Sequence, residues 1–188
     1  MAVQKMAVDL EKIKMAIHSG IPLSITTYTL PREMETYMGD ILSAFLTELD
    51  QQQMIQYLSY CLSELMTNAK KANTKRVYFA EKKLNIMDPG DYKAGMTTFK
   101  VDTLNNIEHY LQLQKQARLY VKLFLQVRAN KIKIEVHNNC PLTVFEYKRI
   151  HDKLTRAQQY ASMEEALSQI LDDSEGAGLG LIIMILML

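Results

Sequence analysis

The stretch ARLYVKLFLQVRANKIKIEVHNN, residues 117–139, constrains the fold more than any other part of the chain. Apolar and polar residues alternate through it on both sides of Ala129-Asn130, which is the pattern of two antiparallel strands joined by a tight turn. A lone hairpin is at best marginally stable in water, so its apolar face needs a cover from elsewhere in the sequence.

That cover is helical. The first twenty residues give a helix with Met6, Leu10, Ile13 and Ile17 on one face, ended by Gly20 and Pro22. LSITTYT, Leu23 to Thr29, is β-branched and bounded by prolines, and reads as a strand. Pro31 suits the first turn of a helix running to about Leu49, and a second long helix follows from Gln52 to Ala72. KRVYFAEKKL, residues 75–84, reads as a further strand, and DPGDYKAG after it as a turn. A helical pattern returns from Val101 to Gln116. Two more helical stretches follow Pro141, the second opened by a capping box at Ser162-Met163-Glu164-Glu165. Segregated helices and antiparallel strands predict the α+β class, a two-layer sandwich with helices on one face of a mixed sheet.

Composition narrows the classes of function. Lys and Arg total 22 against 21 Asp and Glu, a net charge of +1, so no bulk field draws the chain to nucleic acid. Two cysteines, Cys61 and Cys140, make neither a disulfide framework nor a metal spacing, which fits a reducing, cytoplasmic setting. The amino end lacks the apolar run and cleavage site of a signal peptide. The closing run LGLIIMILML has ten residues, about half of what a helix needs to cross a bilayer, and reads as a buried helix or strand. Twelve methionines read as adaptable core fillers.

The second long helix carries two stripes. Met54, Leu58, Leu62, Leu65 and Ala69 recur at three- and four-residue intervals and face a core, while Glu64, Asn68 and Lys71 line one edge at i, i+4 and i+7. Such an edge is either a solvated face or a groove where a carboxylate, an amide oxygen and an ammonium meet water, a hard divalent ion and a phosphate. GAGLGL, Gly176 to Leu181, has the glycines that let backbone N–H groups approach phosphate oxygens, and a helix after it would add positive charge at its amino end. It is not a Walker loop, because no GK[ST] follows.

Together, ELMTNAKKA at Glu64–Ala72 and GAGLGL far downstream resemble the N box and the second glycine box of the histidine-kinase-like ATPase superfamily, whose Bergerat fold is shared with gyrase and MutL. Their order, their separation and the intervening hairpin agree with that pattern, and the resemblance covers about Leu23 to Leu188. It implies a domain over residues 21–188 preceded by an N-terminal helix or linker over 1–20, with ATP and Mg2+ as cofactors. By position, Asn68 would coordinate magnesium. Glu64 would act on a water in the metal's sphere or position an acceptor. Lys71 would meet a phosphate or the ribose side. The amides around Gly176, Gly178, Leu179 and Gly180 would close on the phosphates, and about 163–175 would form the ATP lid.

The first glycine box departs from the family. Where the pattern resembles V-x-D-N-G-x-G-I, this chain has VHNNCPLT, Val136 to Thr143, so Asn138 stands at the adenine-reading Asp, and Cys140 and Leu142 replace both glycines. An Asn carbonyl can accept from the adenine amino group, but its amide end competes. The resemblance implies a catalytic domain that supplies the ATP γ-phosphate to a histidine on another domain or protein, with a phosphoacceptor or response-regulator-type partner and a homodimer as a compatible assembly. An anti-sigma-type serine kinase or regulatory module, and a non-catalytic interaction module, are the alternatives.

His151-Asp152 in RIHDKLTRAQQ imitates a phosphoacceptor motif, but it lies between the first glycine box and the lid, and it reads as a surface histidine. His18, His109 and His137 carry no constellation. The segment between Asn68 and Asn138 is longer than the family pattern leads one to expect, and its excess, DYKAGMTTFKVDTLNNIEHYLQLQKQ, is either a partner-contact helix or decoration. The family goes on into further strands beyond this final helix, so an end at Leu188 predicts either a piece of a longer protein or a partner over the apolar face.

Overall fold

The computed structural model describes residues 6–160, 162, 165 and 179–187. The chain divides into two compact units, Met1–Cys140 and Pro141–Leu188. The first runs α1 (Leu10–Ser19), β1 (Leu23–Thr27), α2 (Arg32–Glu48), a 3-10 turn (Gln52–Met54), α3 (Ile55–Glu81), α4 (Pro89–Asn105), α5 (Ile107–Gln116), β2 (Val121–Arg128) and β3 (Lys131–Asn138). This is an α+β architecture.

The hairpin forms as its alternation predicts. Ala129 and Asn130 both adopt left-handed backbone conformations, with φ of 49° and 58°, which suits the twist of a two-residue hairpin turn. Leu123 faces Val136 and Leu125 faces Ile134 across the β2–β3 ladder. On the other side β1 pairs antiparallel with β2, with Leu23 opposite Leu125 and Thr27 opposite Val121. The described sheet is therefore β1-β2-β3 and antiparallel throughout, not mixed. The helices between β1 and β2 return the chain beside β1 in the opposite direction, and the two-residue turn then reverses it again.

One face of this sheet is covered. Val121, Leu123 and Leu125 are buried with Leu23 against Ile13 and Ala16 of α1, Met38, Leu42 and Phe45 of α2, and Leu62, Met66 and Ala69 of α3. Phe124, on the opposite face, has Lys133 Nζ over its ring at 5.5 Å. α1 starts on the Asp9 side chain, which accepts from Lys12 N, and ends at Gly20 in the left-handed region, φ 64°, where a side chain would be strained. Gln126 Nε2 donates to the Gly20 carbonyl and ties that helix end to β2.

Two expectations are corrected along α3 and α4. Residues 75–84 do not form a strand; α3 continues without a break through Glu81. Val77, Tyr78 and Phe79 have the β-branched and aromatic character of a strand, but they are buried against Tyr110, with Tyr92, Met96, Phe99 and Leu113 around them, in a second core built by α4 and α5. Side-chain packing overrides local preference there. The DPGDYKAG segment is a helix start rather than a turn: the Asp88 side chain accepts from Asp91 N and Pro89 takes the first helical position. α4 consequently begins twelve residues before the expected Val101, and α5 follows it after Asn106.

In the second unit, α6 (Val144–Ala157) opens on a capping box. Thr143 Oγ1 accepts from Glu146 N at 3.1 Å, and Glu146 Oε2 accepts from Thr143 N at 3.1 Å, with both residues buried. The LGLIIMILM run forms α7 (Leu179–Met187), and its Ile182 is buried with Ala157, Tyr160 and Ile185. At the Ser162 capping box, Glu165 N donates to Ser162 Oγ at 3.2 Å. Met163 and Glu164 lie outside the described residues, as do Gly176 and Gly178 and all of the expected lid except Glu165.

Candidate functional site

α3 supplies the expected polar edge. Glu64 is half-buried, and Asn68 and Lys71 are exposed. Tyr60, one turn before Glu64, has its phenol pushed up first by burial and then by the neighbouring Glu64 charge. The thiol of Cys61 is buried and pushed up by desolvation, which disfavours the thiolate. Lys70 Nζ meets Glu35 Oε1 at 2.8 Å and links α3 to α2 beside this edge.

The other side of α3 carries a group that the sequence reading passed over. Asn73 lies five residues after Asn68, about 140° around the helix and about 7.5 Å further along it. It is 1% exposed and sits where the two cores of the first unit meet. Its Nδ2 donates to the Tyr120 carbonyl at 3.2 Å. Its Oδ1 accepts from Asn138 Nδ2 at 3.3 Å and from the Cys140 thiol at 3.0 Å. The signal was available, because Met66, Ala69, Asn73 and Val77 follow one another at helical spacing on the buried face, and a polar residue inside such a stripe requires partners.

The end of β3 is thus held to α3 by side chains. Asn139 adds a second clamp: its Oδ1 accepts from Tyr120 N at 2.8 Å and its Nδ2 donates to the Arg118 carbonyl at 3.0 Å. In this chain the segment after β3 is held by amide side chains. Asn138 hydrogen-bonds to Asn73 and not to Glu64, Asn68 or Lys71. Leu179 and Gly180 stand at the start of α7 in the second unit.

The histidines are accounted for by neighbours or by exposure. His151 is exposed on α6 and stacks on Tyr147 with ring centroids 6.4 Å apart. The His18 ring contacts the Lys14 carbonyl one helical turn back, and His137 meets Glu135. His109 pairs with Glu81, which also accepts from the Tyr110 hydroxyl at 2.7 Å. That bond is the first cause holding the Glu81 carboxyl below its ordinary range, and His109 is the next. No group of three or more His, Cys, Asp or Glu able to hold a metal occurs among the described residues. Nor, among them, is any helix long and apolar enough to cross a membrane.

The chain is similar to a protein of Treponema pallidum (strain Nichols) that carries the description "Uncharacterized protein", with 56% identity over 184 residues. The match takes in 98% of this chain and 36% of the relative, so the chain spans about a third of the length of the curated relative that it matches. No protein-family model matches the chain, and no solved structure does.

Proposed function

We propose that the chain is the MgATP-binding catalytic domain of a histidine-kinase-type signalling protein, delivering the γ-phosphate to a histidine on another domain or protein. The observation that carries this reading is the meeting of α3 with the end of the hairpin. Asn73 joins the helix bearing the N-box-like residues to Asn138, the position that corresponds to the adenine reader, across 65 residues of sequence. A glycine-rich segment leading directly into α7 agrees with it, since a helix amino end favours phosphate.

The side chains on α3 suit magnesium better than a metal held by protein alone. Mg2+ keeps several waters and takes much of its remaining coordination from substrate phosphates, so one amide oxygen from Asn68 is a sufficient protein ligand. Glu64 then orients water or the acceptor, and Lys71 supplies a cation to the phosphate or ribose. Phosphoryl transfer asks for this kind of positioning and charge neutralisation rather than for covalent chemistry by the protein. One specific observation favours a non-catalytic module instead: Cys140, at the first of the two glycine positions that would let a base approach closely, spends its thiol on Asn73, and Leu142 stands at the second.

Calorimetric titration of the full chain with ATP, with and without Mg2+, tests the proposal. Saturable, magnesium-dependent binding is expected, weakened at least tenfold in Asn68→Ala. Absence of such binding in the unaltered chain refutes it. Acid-labile label on an acceptor histidine separates histidine transfer from serine transfer.

A further inference from the structure

The orientation of the Asn73 amide follows from its partners. The Tyr120 carbonyl can only accept, so the Asn73 end facing it at 3.2 Å is the NH2 group. Reversing the amide would press two oxygens together around a side chain that is 1% exposed, where the low local dielectric makes the repulsion costly. Asn73 Oδ1 is therefore fixed toward Asn138 and Cys140, and both donate to it.

This determines Asn138 in turn. Its Nδ2 is taken up by Asn73, and its Oδ1 makes no hydrogen bond to any described residue. Asn138 is half-buried, so that oxygen is the free end of a side chain whose other end is anchored. Asn139 holds the neighbouring backbone to residues 118–120 and keeps the strand end from turning.

We infer that Asn73 is a positioning residue for base recognition: it turns Asn138 so that a carbonyl oxygen, and not an amide N–H, is presented to the nucleotide. An acceptor there takes a hydrogen from the 6-amino group of an adenine nucleotide and opposes the 6-oxo group of a hypoxanthine or guanine nucleotide. The inference rests on the nucleotide-binding reading above, and it explains how an uncharged Asn138 serves where the resembled family has a carboxylate. The competing amide end is removed by a buried relay that starts at the Tyr120 carbonyl.

The test compares MgATP with MgITP, which differ only along the purine 6-position edge, by calorimetry on the full chain. The unaltered chain is expected to prefer MgATP by about 10- to 100-fold, the discrimination that one unpaired or opposed polar group provides. In Asn73→Ala the Asn138 amide loses its inward acceptor and rotates to suit either base, so the preference falls to within about threefold. A purely structural role for Asn73 would weaken both ligands alike and leave their ratio unchanged, and that result overturns the inference. Should Asn73→Ala fail to fold, the unaltered chain still decides, with the triphosphate of unsubstituted purine riboside as a third ligand lacking the 6-amino group. MgATP tighter than both supports the inference. Equal binding of all three overturns it while the nucleotide-binding reading stands, and binding of none removes both.

Discussion

Two helical glycines of the first unit should respond to alanine with opposite signs. Gly95 is buried in α4, and a Cβ built there would lie 2.6 and 2.9 Å from Phe79 Cζ and Cε1 and 3.1 Å from Leu84 Cδ1. Phe79 has little room to yield: it is 1% exposed, stacked on Tyr92 at 5.8 Å and set edge-on to Tyr78 at 5.7 Å. Replacing an interior helical glycine gains about 1 kcal/mol of backbone preference, whereas overpacking costs about 1–3 kcal/mol. With a ring this confined the cost falls at the upper end, and Gly95→Ala should lose about 1–2 kcal/mol net. Gly39, inside α2, has nothing within 4 Å of its Cβ position, so Gly39→Ala keeps the gain of about 0.5–1 kcal/mol. Urea denaturation followed by helical circular dichroism measures both, and the two midpoints should move in opposite directions with little change in slope. A Gly95→Ala variant as stable as Gly39→Ala would refute the close approach of α4 to α3.

Further outcomes follow from other contacts. Tyr110→Phe removes the hydroxyl that donates to Glu81 and should cost about 1 kcal/mol at neutral pH. The Glu81 carboxyl is held below its ordinary value of 4.5 in the folded chain. Its contribution is therefore present above the carboxylate range and is lost as pH falls through the folded value, so the gap between Tyr110→Phe and the unaltered chain in urea midpoint should narrow from pH 7 to pH 3. Thr143→Ala removes the hydroxyl that caps α6 by accepting from Glu146 N, while the bond from the residue 143 backbone N to the Glu146 carboxylate stays; a loss of about 1 kcal/mol should appear as faster hydrogen exchange in the first turn of α6. Glu35→Gln breaks the pair with Lys70, whose members are each about a third exposed, so it should cost under about 1 kcal/mol and nothing measurable in 1 M salt.

The parts of the fold that were legible in the sequence are those where local pattern and tertiary contact agree. The hairpin declared itself because its buried face repeats every second residue, and Gly20 marked the end of α1 because only a positive φ closes that helix. Val77, Tyr78 and Phe79 misled because their type favours strands, while the contacts that decide the matter come from α4 and α5, which lie later in the chain. Asp88 and Pro89 misled for a different reason, since the side chains that make turns also cap helices. In the candidate site, the edge of Glu64, Asn68 and Lys71 could be found by helical spacing. Asn73 could not be given a role in that way, because its partners Tyr120, Asn138 and Cys140 are 47, 65 and 67 residues away.

The length of α3 has a mechanical consequence. Its 27 residues span about 40 Å, with the first half seated in the core beneath the sheet and the second half in the core formed by α4 and α5. Half of such a helix, stripped of its packing, is close to the limit below which a helix does not persist in water. Neither core can melt without fraying the rod that the other grips, so the two should open as one cooperative event. Asn73 sits about two-thirds of the way along that shaft, and its hydrogen bond to Asn138 gives a load placed on α4 or α5 a path to the end of the hairpin.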